Sequence, residues 1–302
     1  DTDNIQSALQ HGADVNYTTP QGYTPLYESV GIGNKQMTSM LLDVGAEIDV
    51  PGDEYNGPPF VWAAKKGDIN SMKLLLEKGG NINIKHEKDG SEDTPLHVAS
   101  NNKQDDAILF LVDNGADVTL QNQFLRRPLD IIAEKYVEVY EKKISQREGT
   151  IRVQEQEKEK VQRRMENSKN KDNLKRLESD LRSQQKYLDQ SKSYLQPLIA
   201  DKERGENLLK TILEKVLDQK IPLEKITIKP VVKNLYAELM KVREEQRRSV
   251  AEVVESKGLP VEMSGEVENF LHKGGKQKKR NTRKSKKSPS KKRKTSKRRK
   301  RR

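Results

Sequence analysis

The chain has 302 residues, of which 32% are hydrophobic and 34% are charged. This composition excludes one compact core for the whole chain, so elongated or disordered parts are expected. The net charge of +12 hides a segregation: residues 273–302 hold 19 Lys/Arg and no Asp/Glu, whereas residues 1–133 hold 10 basic and 20 acidic residues.

The residues that common catalytic and metal sites require are absent or scattered. There is no cysteine, which excludes disulfides, Cys-ligated zinc and thiol catalysis. The four histidines form no paired metal-binding motif, and no Gly-rich phosphate loop or G-x-S-x-G motif occurs. No apolar run is long enough to cross a membrane. We therefore expect no enzyme activity, no cofactor and no metal site in this chain.

Two short motifs recur through residues 1–133 with a spacing of 33 to 36 residues. The first begins with glycine and continues with a small, a polar and an aliphatic residue; it occurs at Gly12–Asn16, Gly45–Asp49, Gly79–Asn83 and Gly115–Thr119. The second is centred on proline; it occurs at Thr24–Leu26, Pro58–Phe60, Thr94–His97 and Arg127–Leu129. A fixed period of this length is typical of stacked repeats.

Each repeat reads as two short helices joined by turns. Thr caps the first helix, and Pro suits its first turn because the missing N–H would be unpaired there. A second helix with one apolar face follows, and glycine ends it in a left-handed conformation. Neither helix buries its apolar face alone, so neighbouring repeats must stack into a solenoid.

These motifs resemble the ankyrin repeat family over residues 1–133, with a truncated first repeat and about four units. Because the chain starts inside a repeat, we expect it to be a fragment of a longer protein. Pro58, Val61 and Lys103 depart from the family pattern. The resemblance implies a non-catalytic surface that binds a protein partner through turn tips and inner helices, and an internal hydrogen-bonding role for His97.

The predicted tips contain four aromatic residues that are candidate partner-binding residues, because aromatic side chains are common interface anchors. They are Tyr17, Tyr23, Tyr55 and Phe124. The alternative for each is that its ring packs against the neighbouring turn. Trp62 occupies a helix-packing position and is expected in the core.

Residues 134–219 are charged and helix-forming, and we interpret them as a helical hairpin, 134–166 against 171–196, followed by a helix at 198–219. Positions three and four apart carry the seam of a coiled coil. They are Leu174, Leu177, Leu181, Gln184, Leu188, Ser191, Leu195 and Leu198. Self-association as a parallel dimer and a solvated single helix are the alternatives. Pro197 is expected to interrupt the seam.

Residues 220–272 are interpreted as a linker and an amphipathic helix that starts near Pro230 and stops at Gly258. The fold class is therefore all-α: an ankyrin-repeat solenoid, long coiled-coil-like helices and a disordered basic tail. The tail, residues 273–302, has no aliphatic or aromatic side chain and cannot build a core.

Two clusters in the tail are candidate nuclear-import or nucleic-acid-binding residues. They are Lys278, Lys279, Arg280, Lys291, Lys292, Arg293, Lys294, Arg298 and Arg299. The tail presents no folded element and no stacking platform, so it would bind phosphates without sequence preference and with strong salt dependence. A membrane surface ranks behind nucleic acid, because no apolar face accompanies the charges.

The leading hypothesis is a non-enzymatic adaptor that binds a protein through its repeats and is nuclear through its tail, with a cytoplasmic location as the alternative. The competing hypothesis is a nucleic-acid- or chromatin-associated protein in which residues 273–302 have the primary role.

Overall fold

The computed structural model describes residues 2–50, 57–87, 90–217, 221–227 and 229–256. All regular elements in these ranges are helices, so the all-α prediction is confirmed, and the only extended pairing in these ranges is an isolated antiparallel bridge between His86 and Asp93. Tyr55 and the basic tail lie outside the described residues.

The helices follow the chain as pairs and then as long single elements. The short helices are α1 Thr2–Gln10, α2 Pro25–Ile32, α3 Lys35–Asp43, α4 Pro59–Lys66, α5 Ile69–Glu77, α6 Pro95–Asn101, α7 Asp105–Asp113 and α8 Pro128–Ile132. A π-helical segment, Ala133–Glu138, follows. The later helices are α9 Val139–Glu166, α10 Lys171–Ser193, α11 Leu195–Leu217, α12 Leu223–Ile226 and α13 Pro230–Ser256.

The first helix of each pair begins with proline and ends at a left-handed residue. The Thr24 hydroxyl accepts a hydrogen bond from the Tyr27 N–H at 3.2 Å, as an N-cap should. The turns that follow α2, α4 and α6 use Gly33, Gly67 and Lys103, with φ of 73°, 72° and 56°. Lys103 therefore takes the conformation that glycine takes in the other repeats.

The fourth repeat does not make this turn. Tyr136 occupies the position that corresponds to Gly33, Gly67 and Lys103, and the backbone there stays helical. α8 therefore continues through the π-helical segment into α9, so the chain leaves the repeats as one uninterrupted helical path.

Side chains of the glycine motif connect consecutive repeats by hydrogen bonds. Asn16 accepts from the Glu47 N–H at 2.8 Å, and Asn83 accepts from the Asp117 N–H at 2.9 Å. Asp49 makes the equivalent contact with the next repeat. These bonds satisfy backbone donors at the end of each second helix, which gives the Asp and Asn of the motif a structural role.

The core runs without a gap from the repeats into the helices that follow. Leu26, Phe60, Leu96 and Leu129, the apolar residues of the proline motif, are all buried. The same hydrophobic cluster includes apolar residues of the π-helical segment, α11 and α13. The described residues up to Leu239 form one compact unit, and those from Met240 to Ser256 belong to a second.

α11 covers the end of the repeats. A Cβ at Gly205 would lie 2.2 Å from the Tyr136 Cβ, so only glycine permits this close approach. Arg204 pairs with Asp105 at 2.5 Å, and Tyr136 donates a hydrogen bond to the same carboxylate. Burial, with the contact to Asp105, raises the pKa of Tyr136, so its phenol remains a donor.

α9 and α10 pack against each other, and the turn between them holds the N-cap Asn170. Leu177, Leu188 and Ser191 of the predicted seam are buried, and most other side chains on these helices are exposed. The break after α10 falls at Tyr194, not at Pro197, which lies in the first turn of α11. Proline is tolerated in a first turn, which explains the difference. Dimerisation stays a prediction.

Candidate protein-interaction surface

The two tyrosines of the first tip, Tyr17–Tyr23, differ in their exposure to solvent. The tip is closed by hydrogen bonds between Thr19 and Tyr23, with the Tyr23 N–H on the Thr19 hydroxyl at 3.0 Å. Tyr17 is 59% exposed. Tyr23 is half-buried, and its ring stacks on that of Tyr27 with the centroids 5.0 Å apart. Tyr17 is thus available to a partner, whereas Tyr23 packs on its own repeat.

The fourth tip, Gln121–Arg126, presents two large apolar side chains to solvent. Phe124 is 63% exposed and Leu125 is 69% exposed. The side chain of Asn122 accepts from the N–H groups of Phe124 and Arg126, each at 3.0 Å. Leu125 has a φ of 56°, which is unfavourable for a bulky residue. The loop therefore holds an exposed leucine in a strained conformation.

The third tip, His86–Asp93, is connected to the fourth by hydrogen bonds that hold the fourth tip in place. Asn122 donates to Asp93 at 2.7 Å, and the Gln123 N–H donates to the Ser91 carbonyl at 2.9 Å. His97 Nε2 donates to the Arg126 carbonyl at 2.9 Å. Thr94 lies 2.8 Å from His97 Nδ1 on the other side of the ring. Burial lowers the pKa of His97, so the ring is held in its neutral form.

An aromatic cluster extends along the first helices of the first two complete repeats. We define the inner cluster as Tyr23, Tyr27, Trp62, Lys65 and Lys66. Tyr27 stacks on Trp62 at 6.4 Å between centroids, and the ammonium groups of Lys65 and Lys66 lie 5.3 and 5.1 Å from the Trp62 ring centre. Trp62 is half-buried and packs against the edge of the core, whereas the prediction placed it within the core.

The Trp62 ring lies against α2 because residue 31 is glycine. A Cβ there would lie 2.9 Å from Trp62 Nε1. The Gly31 carbonyl accepts from Lys66. The Trp62 N–H has no acceptor among the residues that the structure describes. The inner cluster therefore joins an apolar surface to two positive charges inside an acidic part of the chain.

Two exposed apolar residues carried no recognisable signal in the sequence. Ile32, the last residue of α2, is 70% exposed, and Leu125 resembles any core leucine when read from sequence alone. Only the side-chain positions reveal them. The tail candidates and Tyr55 lie outside the described residues and stay predictions.

The described residues contain no cluster of three or more His, Asp or Glu side chains that would hold a metal ion. None of the described helices combines the length and the apolar composition of a membrane span.

The family model described as ankyrin repeats (3 copies) matches the chain over two overlapping ranges, residues 1–86 and 53–122. The N-terminal segment is thus made of ankyrin repeats, as predicted. Repeats of this family indicate protein–protein interaction.

Several curated proteins are similar to this chain over segments of 116 to 133 residues. The B-cell lymphoma 3 protein homolog of Mus musculus is 29% identical over 133 residues, 44% of this chain and 29% of the relative. The palmitoyltransferase AKR1 of Lachancea kluyveri is 31% identical over 116 residues, 37% of this chain and 15% of the relative. A putative ankyrin repeat protein of Rickettsia felis is 31% identical over 131 residues, 40% of this chain and 56% of the relative. The chain thus spans less than a third of the first two relatives.

Proposed function

We propose that the repeats bind a protein partner through the fourth tip and the inner cluster. The observation that carries this proposal is the pair Phe124 and Leu125. A folded domain gains nothing by exposing both side chains and holding Leu125 at a positive φ, since burial of one such side chain is worth about 1.5–3 kcal/mol. Local backbone strain at an exposed loop is typical of binding sites.

The inner cluster favours a partner segment that combines an apolar side chain with a carboxylate. The exposed part of Trp62 offers a flat apolar surface. Lys66 forms no ion pair among the described residues, and its ammonium donates to a backbone carbonyl instead. A carboxylate beside Lys66 would gain a charge-assisted hydrogen bond.

The test begins with affinity capture on the immobilised full chain, and each captured protein is then purified and titrated by calorimetry. We expect Phe124→Ser with Leu125→Ser to weaken binding by about tenfold or more, as truncated interface anchors do. Lys66→Glu is expected to weaken binding further by like-charge repulsion. These side chains are on the surface, so the fold should be unaffected.

The matched control is Val153→Ser with Tyr187→Ser, which removes two equally exposed apolar side chains from α9 and α10. The control should bind every partner with unchanged affinity. Equal loss in the control and in the tip variant would reject the tip as the contact point. Unchanged binding in the tip and Lys66 variants would reject both.

A second candidate function is supported by the 19 positive charges of residues 273–302, which no acidic residue offsets. We infer nuclear import through one basic cluster and nucleic-acid binding through the whole tail. Replacing Lys278, Lys279 and Arg280 together with Lys291–Lys294 and the basic run Lys297–Arg302 by alanine should abolish nuclear accumulation of the tagged full chain. An unchanged distribution in the cell would reject the import role and leave protein binding by the repeats untouched.

A further inference from the structure

The turn between α9 and α10 concentrates positive charge. We define the hairpin tip as residues 163–176, which comprise the last turn of α9, the connecting turn and the first two turns of α10. It holds six basic and two acidic residues, a net charge of +4. The whole of residues 1–133 is, by contrast, acidic.

The fold does not neutralise these charges. Arg163 lies 3.8 Å from Glu159, with both side chains mostly exposed. The other five basic residues of the tip form no ion pair with any residue that the structure describes: Arg164, Lys169, Lys171, Lys175 and Arg176. Further along the hairpin, cations are paired across helices, as Lys192 is with Glu155 at 2.8 Å.

The surface of the tip is concave. Three arginines from both helices line a shallow depression of about 550 Å³. The other lining residues are Asn167, Ser168, Asn173, Leu177 and Asp180. Asn173 donates to the Ser168 hydroxyl at 3.0 Å, which ties α10 to the turn. Guanidinium groups present forked donors that match phosphate oxygens, so the depression suits a phosphodiester backbone better than a point charge.

The chemistry of the tip disfavours protein and membrane partners. No Phe, Trp or Tyr occurs between residues 158 and 180. The apolar side chains of the tip, Met165 and Leu174, are half-buried, and the adjacent Leu177 is buried. A stable protein interface needs apolar or aromatic anchors at its centre, and a membrane-binding surface needs an apolar face. A polyanion needs neither.

The acidic repeats do not prevent this binding. α9 has 28 residues, which at 1.5 Å per residue place its end about 42 Å from its start. The Debye length is about 10 Å at 0.1 M salt, so the repulsion from the repeats is screened at the tip.

We propose that the hairpin tip is a nucleic-acid-binding site that holds the phosphate backbone through Arg163, Arg164 and Arg176. The tip has no aromatic side chain to stack on bases, and phosphate contacts carry no sequence information, so we expect binding without sequence preference. It is independent of residues 273–302 and of the protein partner of the repeats.

The test cross-links the full chain to a DNA duplex of about 40 base pairs that carries photoreactive groups on its phosphates, and maps the adducts by mass spectrometry. We expect adducts within residues 163–176. In the triple variant Arg163→Gln/Arg164→Gln/Arg176→Gln, the adducts within residues 163–176 should disappear, while adducts in residues 273–302 persist. The slope of log affinity against log salt should fall by up to about 2.7, since each phosphate contact contributes about 0.9.

The matched control is Lys142→Gln/Arg152→Gln/Lys186→Gln, which removes three exposed charges from the body of the hairpin. It should keep the adducts and the slope. Adducts confined to residues 273–302, or equal loss of slope in the control, would overturn the proposal and leave the tail's role intact. Competition with a polyglutamate peptide of matched charge tests for an acidic protein partner. If the peptide displaces the duplex from the tip as well as unlabelled duplex does, the proposal is overturned in favour of an acidic protein.

If the triple Arg→Gln variant loses the adducts and also changes its circular dichroism spectrum, Arg→Lys is made at the same positions. These variants keep the charge and should restore binding in part. No restoration in variants with a normal spectrum would also overturn the proposal.

Discussion

The repeats and the α9–α10 hairpin are both helical, but different forces hold them. In the repeats, side chains such as Leu75 and Leu111 are fully buried, and hydrogen bonds join each unit to the next. In the hairpin, Ile151, Leu177 and Leu188 are the only large apolar side chains that are buried among its described residues, and the surface is lined with ion pairs.

This difference indicates which surfaces are constrained by stability and which are free to bind a partner. Buried apolar packing tolerates little change, because a truncated side chain leaves a cavity. A solvated hairpin tolerates changes on most of its surface, because exposed ion pairs contribute little. Its charges are therefore available for binding.

The largest effect is expected from truncation in the repeats. Leu111→Ala, at a fully buried position of α7, should lower the free energy of unfolding by about 2–5 kcal/mol. Leu177→Ala, near the connecting turn of the hairpin, should cost on the order of 1 kcal/mol because the helices can close around the gap. Urea denaturation followed by circular dichroism measures both. Equal losses would refute the contrast.

The second prediction uses one substitution at two glycines and expects opposite signs. Gly205→Ala places a Cβ 2.2 Å from that of Tyr136, so α11 must shift at a cost of about 1–3 kcal/mol. Gly149→Ala, within α9, meets no heavy atom within 4 Å and should stabilise the helix by about 0.5–1 kcal/mol. Thermal unfolding of the two variants should bracket the parent protein. A lowered melting temperature for Gly149→Ala would contradict the solvated view of the hairpin.

Much of the repeat architecture could be predicted because its signals are local. Proline in a first turn, a capping Thr and a terminating Gly each act within a few residues, so the periodic motifs predict the helix pairs. The aromatic residues of the tips were identifiable for the same reason. That Phe124 is exposed while Tyr23 stacks on Tyr27 depends on neighbouring rings, which no local signal describes.

The junction could not be predicted because it depends on contacts between distant residues. Gly205 is a poor seam residue when read along the sequence, yet its lack of a side chain lets α11 pack on Tyr136. Likewise, no sequence signal near Tyr136 predicts that the fourth repeat continues into α9 as a helix. The partner helix α11 lies about seventy residues later, and its packing determines this path.

The third prediction concerns stability at low pH, which should differ between the repeats and the α9–α10 hairpin. Burial lowers the pKa of His97, so the unfolded chain, with a pKa near 6.5, binds protons more readily than the folded one. The stability due to neutral His97 is therefore full above about pH 6.5 and is lost as the pH falls below it. Hydrogen exchange at pH 5.5 should show the fourth tip opening, because His97 holds the Arg126 carbonyl.

The α9–α10 hairpin contains no histidine, so the protection of its amides, corrected for the pH dependence of intrinsic exchange, should not change over the same pH range. His97→Gln should reduce the slope of stability against pH, and His11→Gln, at an exposed position, should retain it. A slope that survives in His97→Gln would show that another group is responsible.

The smallest effect is expected from the ion pair between Lys192 and Glu155. Its atoms are 2.8 Å apart, but both side chains are about half exposed, so Glu155→Gln should cost only about 0.2–1 kcal/mol. A double-mutant cycle with Lys192→Met measures the coupling, which should vanish near 1 M salt because the Debye length there is about 3 Å. A coupling above about 2 kcal/mol would mean that charge pairing holds the hairpin together. A small coupling means instead that α9 and α10 are held by few apolar contacts, and that their unpaired cations at residues 163–176 remain free to meet an external anion.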